Sequence, residues 1–128
     1  MPHPTPIGIE LHTRSRELEL KYPGDENYRL SYEFLRVMSP SAEVRGHGPG
    51  QEVLQVGKLN VQIKDLKPVG NYALQPVFDD GHDSGIYAWD YLYKLCVNRD
   101  TLWQEYLQQL NAAGGNRDPD VQVVKLEL

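Results

Sequence analysis

One cysteine, Cys96, is all the thiol chemistry this chain has. No intrachain disulfide can form, and a single copy cannot build a thiolate-rich zinc or iron–sulfur site. Long apolar runs are missing too, since no stretch approaches the roughly 20 residues of a membrane span. The opening Met1-Pro2-His3-Pro4-Thr5-Pro6 has neither the basic start nor the apolar run of a secretory signal. These absences lead to the expectation of a cytoplasmic protein that does not engage a membrane. Positive charge is also scarce. The net charge is −5, with the excess acids in residues 65–128, and phosphate binding needs a basic patch, so nucleic acid is not expected as a partner. The glycine loop Gly46-His47-Gly48-Pro49-Gly50 lacks the Gly-Lys-Ser/Thr ending of a phosphate-binding Walker loop.

What remains reads as one domain. A chain of 128 residues, 40% apolar and 24% charged, can bury about 70% of its unfolded surface without staples. Its 9 prolines and 11 glycines assign much of it to loops. Residues 1–6 are expected to be flexible, 7–113 to form a single domain, and 114–128 to be a linker and tail.

Strict alternation marks two strands, through Ile7, Ile9 and Leu11 and through Leu18, Leu20 and Tyr22, joined across Thr13-Arg14-Ser15-Arg16. Pro23 to Asn27 turns by composition. Over residues 28–38 a third strand competes with a short helix, placed at 31–37. Gly and Pro make 39–53 a loop. Leu59, Val61 and Ile63 give the cleanest strand signal. Another strand follows through Tyr72, Leu74 and Phe78, with Pro76 marking an edge or bulge. A helix over 86–96, capped by Asp83 or Ser84, and a second opening on a Thr101/Gln104 capping box complete the domain. Ala113-Gly114-Gly115 stops the second helix. Strands first and two helices late is an α+β order, a mostly antiparallel sheet with two C-terminal helices packed on it.

Chemistry concentrates in Phe78-Asp79-Asp80-Gly81-His82-Asp83-Ser84-Gly85-Ile86-Tyr87-Ala88-Trp89-Asp90-Tyr91-Leu92. Asp79, Asp80 and His82, joined by His47 from the glycine loop, form a candidate divalent metal site. The same residue types also turn and cap, with Asp80-Gly81 as the turn and His82 bonded to a backbone group. Two further readings are an anion cradle at residues 46–50 beside Arg45 and acid/base work by His82 with Asp79 or Asp80. Tyr87, Trp89, Tyr91, Tyr93, Trp103 and Tyr106 exceed what one sheet can cover, so some are expected on a protein-binding surface.

Phe34-Leu35-Arg36, Ser39-Pro40-Ser41-Ala42-Glu43-Val44, Gly46-His47-Gly48-Pro49-Gly50, Pro68-Val69-Gly70-Asn71-Tyr72-Ala73 and the 78–92 block occur in an order that resembles the gamma-butyrobetaine hydroxylase-like N-terminal domain family, in particular its small stand-alone bacterial members of unknown function. The resemblance spans about residues 7–112 and implies a compact α+β domain. It also implies a setting among oxygenase or iron–sulfur systems, because related domains are fused to hydroxylases or to P-loop iron–sulfur proteins. Hydroxylase-type members hold zinc through cysteines after a Trp-Leu-Arg-like motif plus a histidine matching His82. Ser39, Pro40 and Ser41 stand where those cysteines would be, so no zinc and no other cofactor is expected.

The reading that follows is a non-catalytic interaction module, monomeric or weakly dimeric, contacting an unidentified protein through Tyr87, Trp89, Tyr91, His82 and Arg36. The alternative is a small metal-dependent enzyme using Asp79, Asp80, His82 and His47.

Overall fold

A computed structural model describes residues 4–46, 48 and 50–121 of the chain. Strands β1 (Gly8–His12), β2 (Glu17–Tyr22) and β3 (Glu26–Ser31) form an antiparallel meander. Alternation decides which face is buried: Leu18, Leu20, Tyr22 and Leu30 are all at most 1% exposed. The β2–β3 turn passes through two consecutive left-handed residues, Gly24 and Asp25, the backbone a tight hairpin demands.

Strand and helix do not compete over residues 28–38, because β3 runs directly into helix α1 (Tyr32–Val37). The Ser31 hydroxyl caps that helix by accepting from the Phe34 N–H at 3.0 Å. All six α1 residues are buried. One more turn, α2 (Ala42–Arg45), is capped in the same way by Ser41.

A second antiparallel sheet holds β4 (Ile63–Val69), β5 (Ala73–Phe78) and the two-residue β6 (Tyr87–Ala88). The chain is the α+β fold its order of elements implies, with the two long helices following antiparallel strands that are divided into two meanders sharing one core. Leu18, Leu20 and Leu30 from the first meet Leu74, Phe78 and Tyr87 from the second, and Leu92 and Leu95 cover them. Pro76 sits opposite Leu66 in β5, at a level where β6 does not reach, so its missing N–H interrupts no ladder on that side.

Three expected boundaries move, each for a local reason. Of the signal at Leu59, Val61 and Ile63 only Ile63 enters its strand, because the Leu59 N–H donates to Arg117 O at 3.0 Å and the Gln62 N–H to the Asp79 carboxylate at 2.9 Å. Val61 and Ile63 are nonetheless core. Helix α3 (Trp89–Val97) starts late, since Tyr87 and Ala88 are drawn into the sheet against Leu74 and Ala73. Its N-cap is Ala88, without a side-chain cap, while Ser84 bonds Ser41 instead, at 2.7 Å. Helix α4 (Arg99–Ala112) begins immediately after Asn98, which leaves Thr101 inside the helix rather than capping it.

The chain beyond α4 is tied down as far as it is described. Asn116 O accepts from the Gly57 N–H at 2.8 Å, and Arg117 makes two bonds, of 2.8 and 2.7 Å, to the buried Glu33 carboxylate. The same guanidinium lies over the Trp103 ring. Of the tail 114–128, residues 122–128 lie outside the described residues. Among the described residues no helix is long and apolar enough to cross a membrane.

Candidate functional site

β5 ends at Phe78, and the chain reverses through Asp79, Asp80 and Gly81. Gly81 takes φ 90°, which favours a residue without a side chain. Bonds from Gly81 N–H to Phe78 O (3.2 Å) and from Phe78 N–H to His82 O (3.0 Å) close the turn. The Asp80 carboxylate accepts the His82 N–H at 3.1 Å, which fixes where the histidine leaves the turn. Its ring then points inward, and the residue is 5% exposed.

The imidazole bridges two segments that follow α1. Its Nε2 lies 2.8 Å from Ser39 Oγ and its Nδ1 3.0 Å from Glu43 Oε2. A carboxylate accepts only, so the proton belongs on Nδ1, and Nε2 takes the Ser39 O–H. Burial, and then the nearby Arg36, pull the His82 pKa below its ordinary value against the opposing Glu43 and Asp80. The neutral ring is the form this tautomer needs.

Beside it, Arg36 reaches out from α1 to Asp80, Nε to Oδ2 2.8 Å, and Lys58 Nζ takes the same oxygen at 2.6 Å. Burial alone would raise the Asp80 pKa. Lys58, the His82 N–H and Arg36 outweigh it and hold the group at about 2.

Ser39, His82 and Glu43 have the connectivity of a nucleophile, a base and the acid that orients the base. Access decides against that use. Ser39 is 0% exposed, and a Cβ built on Gly85 would stand 2.5 Å from its Oγ, so the main chain itself lies against the hydroxyl. The main cavities among the described residues are lined by other side chains than Ser39 and His82. The relay orients α1 and α2 against the 78–85 turn, with the Ser39 hydroxyl closed off by the main chain at Gly85. Zinc does not fit either, because hydroxyls of Ser39 and Ser41 stand where thiolates would be, both imidazole nitrogens are taken by Ser39 and Glu43, and the Asp80 carboxylate is held by Arg36 and Lys58.

Of the residues expected to hold a metal, Asp79 turns to the Gln62 N–H, Asp80 to Arg36 and Lys58, and His82 to Ser39 and Glu43. They do not converge, and His47 lies outside the described residues. Of the expected contact residues, Tyr87 is fully buried, its O–H donating to Leu35 O, and Arg36 and His82 are buried as well. Tyr91 is half-buried, donating to Met38 O at 2.6 Å with Arg45 against its oxygen. Trp89 is half-buried, its Nε1–H fixed to Asn71 O at 2.7 Å. Opposite it, Tyr72 is 56% exposed and bonded through its carbonyl to the Trp89 N–H.

Ser39, Glu43 and Lys58 were not singled out by sequence reasoning as partners of this corner. The one available signal was that Ser39 and Ser41 occupy the place of metal-binding residues, which would have pointed to a hydrogen-bonded replacement.

A family model described as gamma-butyrobetaine hydroxylase-like, N-terminal, matches residues 9–93. Two proteins with NMR solution structures are similar over nearly the whole chain. The first is 54% identical with a TM-score of 0.82, covering 99% of this chain and 100% of its own. The second is 47% identical with a TM-score of 0.77, covering 98% and 94%. A crystal structure of a protein of unknown function from Acidithiobacillus ferrooxidans, of the DUF971 family, is 36% identical with a TM-score of 0.59, covering 70% of this chain and 90% of its own. No curated protein matches the chain.

Proposed function

The chain belongs to the gamma-butyrobetaine hydroxylase-like N-terminal family, and from that premise we propose that it is a non-catalytic, cytoplasmic interaction module for a protein partner. The observation that carries the proposal is the sealed Ser39 hydroxyl. The polar side chains that resemble a reaction centre are used up in holding the 78–88 segment rigid. That rigidity fixes the start of α3, where Trp89 and Tyr72 stand at the surface with their backbones bonded to each other. Tyr and Trp favour such surfaces because they bring contact area with few rotatable bonds to freeze. Family relationship suggests that the partner belongs to an oxygenase or iron–sulfur system.

The test is a crosslinked capture from the native cell, comparing wild type with Trp89→Ala and Tyr72→Ala. A defined set of proteins lost with both variants supports the reading. Equal recovery by all three forms removes this surface from consideration. Hydrolysis of an activated ester by wild type, abolished in Ser39→Ala, would replace the module with an enzyme.

A further inference from the structure

The outer face of the first sheet carries a group with no part in the corner just described. Glu10 on β1 and Glu19 on β2 are directly opposite in the antiparallel register, and His12 follows Glu10 on the same face. The His12 Nε2 lies 2.8 Å from Glu19 Oε1 and 3.5 Å from Glu10 Oε2. One donor atom from each residue falls within 4.8 Å of the other two, the only such trio of His, Cys or acidic groups among the described residues. Like charges directly opposite in a ladder destabilise it, so a pair of glutamates here calls for positive charge between them. Lys21 Nζ now serves Glu10 at 2.8 Å and Arg29 approaches Glu19 at 3.4 Å. Both reach in from the solvent side and can swing away.

We propose that Glu10, His12 and Glu19 form a binding site for a borderline divalent transition-metal ion of the zinc, cobalt or nickel type. One imidazole nitrogen and two carboxylates suit such ions, whereas calcium and magnesium favour oxygen alone and in greater number. On binding, the His12 ring changes tautomer through solvent, so that Nδ1 carries the proton and Nε2 turns its lone pair to the ion, and Glu10 exchanges the Lys21 ammonium for the metal. Water completes the coordination, since His12 and Glu10 are partly exposed. A paired hairpin presents all three side chains, so little backbone order has to be gained on binding.

Zinc titration of the whole chain, followed by calorimetry and by the His12 ring resonances, tests the site. One ion per chain is expected to bind saturably and to shift those resonances. His12→Ala and Glu19→Gln should weaken binding by roughly tenfold or more. Lys21→Met should tighten it severalfold, because it removes the competing ammonium, an effect no metal site elsewhere on the chain would show. These are surface positions, so unchanged far-ultraviolet circular dichroism separates lost binding from unfolding. Wild-type affinity in His12→Ala, no gain in Lys21→Met, or no saturable zinc at millimolar concentration would each overturn the assignment.

Discussion

Arg36 and Asp80, 44 residues apart in sequence, join the two halves of the molecule, Nε to Oδ2 at 2.8 Å. The Arg36 side chain is only 8% exposed, and its Nη1 finds no acceptor among the described residues. Loss of one partner from a buried pair costs about 3–5 kcal/mol, because the other charge stays desolvated. Asp80→Ala is therefore expected to lose about 3 kcal/mol in urea denaturation, and Asp80→Asn less, since an amide still accepts one bond.

Acid should act through the same carboxylate. Asp80 titrates at about 2 in the folded protein, against about 3.9 for an unfolded chain. The folded value is the lower one, so its stabilisation is complete above about pH 4 and drains away as pH falls toward 2. The full difference is worth about 2–3 kcal/mol. Denaturation midpoints between pH 5 and 2 should fall more steeply for wild type than for Asp80→Asn.

His82 has a lowered pKa too, but as a base. The unfolded chain then binds a proton more readily than the folded one once pH drops below about 6.5, and stability declines from there downward. The His82 ring resonance should titrate below the ordinary midpoint, and a midpoint at or above it would contradict a buried neutral ring. His82→Gln leaves the Ser39 hydroxyl without its partner and is expected to cost about 1–3 kcal/mol.

Gly85 and Ser39 should be energetically coupled. A methyl group at Gly85 would stand 2.5 Å from Ser39 Oγ and 3.1 Å from the Tyr87 ring, an overpacking worth about 1–3 kcal/mol. Ser39→Ala removes the oxygen it strikes. In a double-mutant cycle the pair should be less destabilised than the sum of Gly85→Ala and Ser39→Ala. Simple additivity would mean that the contact is relieved elsewhere.

Cys96 should resist alkylation in the folded state. Burial pushes its thiol up to about 12, and the residue is 5% exposed, so little thiolate forms and little of it is reachable. Modification by iodoacetamide at pH 8 is expected to follow the unfolded fraction across a urea series.

The β1–β2 hairpin was legible because both strands alternate strictly and their turn is short, whereas β3 (Glu26–Ser31) was not settled, because it runs straight into α1 and the helical spacing overlaps it. The start of α3 was not legible either. Asp83 and Ser84 have good capping chemistry, yet Ser84 is claimed by Ser41, 43 residues away, a competition no local pattern displays. The same holds for Leu59 and Gln62, whose backbones are bonded to Arg117 and Asp79. In the candidate site, the turn at Asp80-Gly81 could be read from residue type. The partners of His82 could not, because Ser39 and Glu43 reach it only through tertiary folding. Glu10 and Glu19 were readable in principle: a hairpin through residues 13–16 sets them opposite one another once its register is counted.

Each strand in both sheets neighbours the one next to it in sequence. Closing such meanders requires only short loops, and rates rise as contacting residues lie nearer along the chain. Each meander can thus take shape early and by itself, leaving their union, latched where Arg36 meets Asp80, as the slow event. The ion pair closes only once the two meanders have met, after that barrier, so substitutions at it should accelerate unfolding far more than they retard refolding.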